Sequence, residues 1–309
     1  MPHLLTSPSP ILLMLTLLCF CTGCSDCAAR DPETGVTLQI PQEQGLQPLR
    51  KPLPLLDGEI DIKNKYSSAV MITTRVPSGT EAGCNGVLVA PQLVLTAAHC
   101  VCMQHKLSSS DSEGEGVFDS SACGQSASVK TVTYLPPRRM GAVRYLTEDY
   151  TGTIQVHPEF RIILGKQGDI ASSHADLAVI LLDAAVPEDL PPVTLAESEV
   201  GVNETVITVG YGYAGPGSST FEKRRFSKSK VVDFIRPEYE RVVLEQPELP
   251  LFKNDSGGPC LREAGNEQRL VGVSSRGLGN AATFTSIHFH RAWLREKIRA
   301  ATFPRTPAP

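Results

Sequence analysis

The sequence predicts an all-β fold, because short strand-like segments recur along it and turn-forming residues separate them. From about residue 55, apolar or alternating segments rich in Val, Ile and Thr follow one another at short intervals. The 309 residues include 25 Gly and 24 Pro, which many tight turns require. Regularly spaced short strands of this kind are typical of a β-sandwich or a β-barrel.

The predicted strands cover residues 69–73, 86–90, 93–97, 129–135, 153–156, 177–182, 206–211, 231–235, 241–244, 270–274 and 282–287. Residues 104–128 interrupt the strands with Ser, Gly, Asp and Glu, and we predict an exposed insertion there. The basic run at 223–225 is predicted to lie in a solvated loop. One helix is predicted over residues 290–300, where Trp293, Leu294 and Ile298 recur at helical spacing between charged residues.

The N-terminal part of the chain has the features of a targeting signal. Residues 11–20 are almost wholly apolar but too few to span a bilayer, which takes about 20 residues, so they fit an export signal. The following CTGCS segment resembles a bacterial lipoprotein processing site at which Cys24 would be lipidated. Ordinary signal cleavage nearby is the alternative, and both interpretations stay open.

Three regions are therefore expected along the chain. Residues 1–24 are interpreted as the export signal, and residues 25–54, rich in Pro, Gln, Asp and Glu without apolar periodicity, as a propeptide or linker. Residues 55–309 are predicted to form the folded domain. The protein is then exported, either secreted or anchored as a lipoprotein in a bacterial cell envelope by lipid-mediated membrane attachment.

Charge and cysteine content argue against several function classes. The net charge of −4 and the pI near 6.0 give no support to nucleic-acid binding, which usually requires a basic surface. The nine cysteines suit an oxidising, exported setting. Their CxxC pairs are not matched by a second Cys or His pair at zinc spacing, so we expect neither a metal nor another cofactor.

Three short segments carry the residue types that serine acyl transfer needs. They are LTAAHC with His99, HADLAVILL with Asp176, and NDSGGP with Ser256. Taken singly, each has an ordinary interpretation as a capping or turn sequence. A serine nucleophile needs a base that accepts its proton and a carboxylate that orients the base. Together the three segments supply these groups.

In their order along the chain, these segments resemble the His, Asp and Ser motifs of the chymotrypsin family of serine proteases. The CNGVL, VHP, VGYG and VGVSSRG segments resemble family segments at corresponding places, so the resemblance covers about residues 55–300. It implies two six-stranded antiparallel β-barrels packed together, with a C-terminal α-helix. It also implies a peptidase domain at 55–309 that cleaves protein or peptide substrates, and we expect a monomer.

The resemblance assigns a role to each matching residue. Ser256 would be the nucleophile, His99 the general base and Asp176 the carboxylate that orients it, while Ser275 would hydrogen-bond Asp176. The backbone N–H groups of Asn254 and Ser256 would form the oxyanion hole. The family has Gly where Asn254 stands, and Asn tolerates positive φ better than most residues. A working oxyanion hole is therefore expected, with a flipped peptide in the resting enzyme as the alternative.

Residues around the implied substrate cleft depart from the trypsin pattern. The substrate-binding positions implied by the resemblance are Pro250, Lys253, Ser275, Arg276 and Gly277. Pro250 stands where trypsins carry Asp, so we expect a preference for a small or apolar side chain rather than for Arg or Lys. Arg276 replaces the family's Trp and would favour an acidic substrate residue, unless it points into solvent.

Activation in this family pairs a newly freed amino terminus with the Asp that precedes the nucleophile. Leu55 lies near the corresponding distance upstream of Cys84. Because a buried carboxylate without a positive partner is costly, we predict that the Leu55 ammonium, or a substitute cation, pairs with Asp255.

The resemblance also implies disulfides. Cys84 would pair with Cys100 beside His99, and a Cys102–Cys123 bond would close the predicted insertion. Cys260 either is a free buried thiol or pairs with Cys27.

Two other functions stay open on the sequence alone. A catalytically silent homologue that serves as a binding or scaffold module would account for Asn254, although such proteins usually lose a residue of the triad. An esterase would use the same triad, but the expected G-x-S-x-G elbow is not matched by Asp255-Ser256-Gly257.

Overall fold

The computed structural model describes residues 59–106, 116–136, 143–166, 168–212, 223–235, 240–245, 255–265, 267–276 and 282–302. The predicted export signal, the propeptide or linker and the lipidation site Cys24 lie outside these residues, as does Cys27. Four further predicted positions also fall outside them: Leu55, Pro250, Lys253 and Asn254. Gly277 is likewise not described.

The described strands are β1 Glu59–Ile60, β2 Ala69–Arg75, β3 Glu81–Ala90, β4 Leu93–Thr96, β5 His105–Lys106, β6 Gly116–Asp119, β7 Ser126–Tyr134, β8 Tyr145–Val156, β9 Arg161–Leu164, β10 Ile170–His174, β11 Ala178–Leu182, β12 Thr194–Leu195, β13 Thr205–Gly210, β14 Arg225–Ile235, β15 Arg241–Leu244, β16 Pro259–Ala264, β17 Glu267–Ser274 and β18 Thr283–Ser286. Short 3-10 turns cover Ala98–Cys100 and Ser120–Ala122, and the helix α1 covers Arg291–Thr302.

The N-terminal half of the domain forms a closed antiparallel barrel. Its strands follow one another in the order β11, β4, β3, β2, β7 and β8, and β8 pairs with β11 to close the ring. Alternate side chains of these strands point inward, as the two-residue period of a strand requires. The interior contains Val70, Ile72, Leu88, Val94 and Ile180, each at most 2% exposed. This barrel provides the strands that precede His99 and follow Asp176.

The C-terminal half forms a second antiparallel ring. Its strands follow the order β14, β13, β16, β17, β18 and β15, and β15 pairs back with β14. Val206, Val231, Val242, Val271 and Phe284 fill its interior. The predicted pair of six-stranded barrels is therefore confirmed. The predicted helix is present as α1, whose Leu294 is buried in the largest apolar cluster.

A buried ion pair corrects the predicted solvated loop at residues 223–225. Arg224 is fully buried and its Nε donates to Asp61 Oδ2 at 2.8 Å. Its Nη1 donates to the Val132 carbonyl on β7 and to the Tyr211 hydroxyl. Arg224 precedes β14, so its guanidinium joins the second ring to a strand of the first. Sequence charge alone predicted solvent here because the carboxylate partner lies far away along the chain.

The predicted insertion at 104–128 is also partly wrong. Strands β5 and β6 lie within it and pair with each other, and β6 also pairs with β9, which pairs with β10 to complete a separate four-stranded sheet. Val117 and Phe118 on β6 are buried. Polar residues on either side masked this short apolar pair, whose burial depends on contacts with distant segments.

Candidate active site

His99 lies directly after β4, in a turn that is fixed on both sides. Its own backbone N–H donates to Asp176 Oδ1 at 2.9 Å. The next residue, Cys100, forms a disulfide with Cys84 on β3. The imidazole Nδ1 lies 2.7 Å from Asp176 Oδ2. Because both backbone and ring are held, the orientation of His99 is set by the same carboxylate that contacts its ring.

Asp176 lies between β10 and β11 and is fully buried. Its Oδ2 accepts hydrogen bonds from His99 Nδ1 and from the Ser275 hydroxyl, the latter at 2.7 Å. Burial alone would raise the pKa of Asp176, but the neighbouring His99 and the hydrogen bonds from His99 and Ser275 outweigh it and lower the pKa to about 2. A carboxylate that stays ionised favours the tautomer in which His99 Nδ1 is the donor and Nε2 is free to accept.

Ser256 lies in the loop that enters β16, close to the end of β4. Its carbonyl accepts a hydrogen bond from Asn85 N–H at 2.9 Å. The next residue, Gly257, has φ +80°, and a Cβ there would lie 2.2 Å from the Asn85 carbonyl and 2.3 Å from Thr96 Oγ1. Only glycine fits this close approach. It brings Ser256 beside the strand that leads into His99.

The structure thus brings His99, Asp176 and Ser275 together as one hydrogen-bonded set, with Ser256 on a loop beside it. Among the residues described, the half-buried Ser256 hydroxyl makes no hydrogen bond. Hydrogen bonds between a nucleophile and its base are often long in the unliganded state and shorten when substrate is bound. The contact between Ser256 and His99 stays a prediction.

Asp255 has a very different environment from Asp176. Its Oδ1 accepts a hydrogen bond from Gly212 N–H at 2.9 Å. Its carboxylate packs on Gly210, where a Cβ would approach Oδ1 to 2.1 Å. Burial raises the pKa of Asp255 to about 7. The Gly212 hydrogen bond and the charge of Arg225 act in the opposite direction but are outweighed by burial. Asp255 and Arg225 line one small cavity together.

Two predicted cleft residues are described. The Ser275 hydroxyl binds Asp176 as the resemblance implied, and its backbone N–H donates to the Thr283 carbonyl. The carbonyl of Arg276 accepts a hydrogen bond from Thr283 Oγ1 at 2.8 Å. The Arg276 guanidinium lies 5.0 Å from the centre of the Phe118 ring, a cation–π contact. Sequence analysis missed this contact because it treated Phe118 as part of an exposed insertion.

Both predicted disulfides, Cys84–Cys100 and Cys102–Cys123, are present. Cys260 is a free buried thiol, and burial raises its pKa to about 12. A thiol with so high a pKa is protonated at neutral pH and is a poor nucleophile. Cys260 therefore does not compete with Ser256 for that role.

A group of residues behind Asp176 was missed by the sequence analysis. Ala175 has φ +50°, and its backbone N–H donates to Glu240 Oε1 at 2.7 Å. The imidazoles of His174 and His290 contact the other oxygen of Glu240. HADLAVILL does contain His174, but no local pattern links it to Glu240.

Within the described ranges, no cluster of three or more His, Cys, Asp or Glu side chains has a geometry that would hold a metal ion. None of the described helices combines the length and apolar character needed to cross a bilayer.

Comparison with known proteins agrees with the fold. Residues 84–273 match the family model of the trypsin-like peptidase domain. The chain is 24% identical over 275 residues to phenoloxidase-activating factor 3 of Holotrichia diomphalia, covering 81% of this chain and 74% of that protein. The solved structure of GrC superposes with a TM-score of 0.56 at 15% identity, covering 79% of this chain and 98% of that one.

Proposed function

The chain belongs to the trypsin-like peptidase family, and we propose that it is a serine endopeptidase that uses Ser256, His99 and Asp176. The observation that carries the proposal is the buried Asp176 carboxylate, which accepts from both His99 Nδ1 and the Ser275 hydroxyl. This arrangement leaves the other ring nitrogen of His99 able to accept a proton. The family implies protein substrates.

In the proposed mechanism, Ser256 Oγ attacks the scissile carbonyl while His99 Nε2 accepts its proton. Asp176 stabilises the imidazolium that forms. The backbone N–H groups of Asn254 and Ser256 hydrogen-bond the oxyanion, with each donor contributing about 3 kcal/mol in comparable enzymes. His99 then protonates the leaving amine, and water hydrolyses the acyl-enzyme by the same steps.

Primary specificity for a small or apolar side chain is part of the proposal. Pro250 cannot neutralise a substrate Arg or Lys as the trypsin Asp does. Lys253, Ser275, Arg276 and Gly277 are proposed to line the remainder of the cleft. The cation–π contact with Phe118 supports a fixed Arg276 that favours an acidic substrate residue near the scissile bond.

Activation is proposed to depend on a positive partner for Asp255. Its raised pKa indicates that the carboxylate is poorly compensated, and an ammonium at Leu55 would supply the missing charge. Arg225, which lines the same cavity, is the candidate for a substitute cation.

The two disulfides indicate an exported protein, because such bonds persist in oxidising compartments. Secretion as a monomer with an export signal at 1–24 and a propeptide or linker at 25–54 is proposed, with lipidation of Cys24 as the anchored alternative. Mass spectrometry of the mature amino terminus distinguishes these two forms.

A fluorophosphonate probe tests the proposal. We expect the mature protein to be labelled at Ser256 and the Ser256→Ala variant to remain unlabelled. Ser198→Ala is the control, because it removes a serine hydroxyl that contacts Arg262, and it should be labelled like the wild type. A folded wild-type protein that is not labelled would favour the catalytically silent binding module. Labelling with ester hydrolysis but no cleavage across a peptide library would favour an esterase.

A further inference from the structure

Glu240 is a buried carboxylate one residue before β15 and directly behind the Asp176 loop. Its side chain is 2% exposed, and its Oε1 accepts the Ala175 backbone N–H at 2.7 Å. Ala175 has φ +50°, a left-handed conformation that is unfavourable for a residue with a Cβ. A hydrogen bond to a charged acceptor offsets that cost. Glu240 thus holds the peptide immediately before Asp176 in an otherwise unfavourable conformation.

The second oxygen of Glu240 is held by two imidazoles. His290 Nε2 lies 2.9 Å and His174 Nδ1 lies 3.2 Å from Oε2. The His290 contact is a hydrogen bond that the imidazole donates to the carboxylate, whereas His174 lies at ion-pair distance without hydrogen-bond geometry. His174 ends β10, and its other nitrogen lies 3.6 Å from Glu159. His290 immediately precedes α1, so this one carboxylate connects β10, the helix start and the Asp176 loop.

Further contacts around Glu240 and His290 restrict the movement of the Glu240 side chain. Its own carbonyl accepts the Ser286 N–H at 2.6 Å, which ties it to β18. The ring centre of His157 lies 4.8 Å from that of His290, in an edge-to-face contact. Burial, together with the neighbouring His290, lowers the pKa of His157 to about 4, so His157 is neutral at neutral pH. The next residue in the chain, Arg241, carries the positive charge that lies nearest to Glu240 along the described sequence.

We propose that Glu240 is a positioning residue, which holds Ala175 so that the Asp176 carboxylate faces His99. The inference rests on the proposed function for its kinetic consequence, although not for its geometry. Glu240 contacts neither His99 nor Ser256 among its described partners, so it acts through Asp176. A residue that only stabilised the loop would change the melting temperature and leave the geometry of the Asp176–His99 pair unaltered.

The Glu240→Gln variant separates these roles. A glutamine cannot accept from Ala175 through one terminal atom and from His290 through the other, because its NH₂ group is a donor. We expect kcat to fall between about tenfold and a hundredfold, the scale of a misplaced catalytic group, with KM within about twofold of wild type. Glu204→Gln is the matched control, since Glu204 also accepts from a backbone N–H and a cation, Gly201 and Arg262. It should leave kcat unchanged.

A second measurement does not require activity. In Ser256→Ala protein, we expect a low-field ¹H NMR signal from the proton between His99 Nδ1 and Asp176. Adding Glu240→Gln should shift or broaden this signal, and adding Glu204→Gln should not. If the wild type is never labelled by the fluorophosphonate, the proposed function fails while this signal still tests the positioning. A folded Glu240→Gln protein with unchanged kcat and an unchanged signal overturns the inference.

Should Glu240→Gln fail to fold, His290→Phe tests the same connection without touching the Ala175 hydrogen bond. It removes the imidazole that hydrogen-bonds Glu240. We expect a smaller loss of kcat and a smaller change in the same NMR signal. Wild-type values of both would overturn the inference.

Discussion

Asp176, which is fully buried, and Asp255, which is half-buried and precedes Ser256, have opposite electrostatic properties. Asp176 accepts from His99 N–H, His99 Nδ1 and Ser275, and its pKa is lowered to about 2. The hydrogen bond described for Asp255 comes from Gly212, and burial raises its pKa to about 7. The number and charge of the partners, more than burial itself, decide which carboxylate remains ionised.

The difference suits two separate tasks. A carboxylate that orients a base must stay charged over the whole working range of pH, as Asp176 does. A carboxylate with a pKa near 7 is only partly ionised at neutral pH, and a cation placed beside it would increase its charge. We therefore expect Asp255 to respond to activation and Asp176 to be insensitive to it.

The largest effect is expected from Asp176→Asn. The amide would pair with the wrong His99 tautomer, so we expect kcat to fall about 10⁴-fold with little change in KM. Steady-state kinetics on a peptide substrate measures this loss. Asp183→Asn, which alters a carboxylate bound by Thr151 on the surface, serves as the control. A loss below about tenfold would show that Asp176 does not orient the base.

Asp255→Asn should change the pH dependence of stability. The pKa of Asp255 is about 7 in the folded protein, against 3.8 for an aspartate freely exposed to water, so the folded state binds the extra proton between these values. Unfolding free energy should therefore decrease as pH rises from about 4 to 7, by at most about 4 kcal/mol. In Asp255→Asn, this decrease of the unfolding free energy with pH should be absent.

Urea denaturation at several pH values, on the unprocessed chain carrying Ser256→Ala, gives the comparison. The other titrating groups cancel in the difference between the two proteins. If the difference in unfolding free energy between the two proteins stays constant from pH 4 to 7, the pKa of Asp255 is not raised. Asp255 and Asp176 would then not differ in pKa as described.

The smallest effect is expected from Ser275→Ala. Losing one of the donors to Asp176 raises the pKa of Asp176 but leaves both His99 hydrogen bonds in place. We expect kcat to fall about tenfold, in line with a single hydrogen bond to a charged group. Kinetics beside the Thr208→Ala control, which removes a hydroxyl paired with Ser227, measures the loss. Wild-type kcat would mean that Ser275 contributes nothing to the charge of Asp176.

Prediction from sequence succeeded where the signal is local. The strand before His99 and the strand after Asp176 are short continuous apolar runs bounded by turn residues, which are visible in the sequence. Prediction failed where a residue is buried by contacts with segments distant in sequence. Arg224 was assigned to solvent because Asp61 lies 163 positions away in sequence. Phe118 was assigned to an exposed insertion because β9, its pairing strand, follows only after two further strands.

The sequence by itself determined the all-β class and the order of the His, Asp and Ser motifs, because these are properties of residue type and spacing, and the family resemblance implied the two disulfides. Only the tertiary structure decided which carboxylate has the lowered pKa and which the raised one. It also placed Glu240 behind Ala175, since the Ala175 N–H and His290 hydrogen-bond it, and His174 of β10 contacts it, only in the folded chain. Electrostatic environment is a sum over neighbours in space, and a linear pattern does not contain that sum.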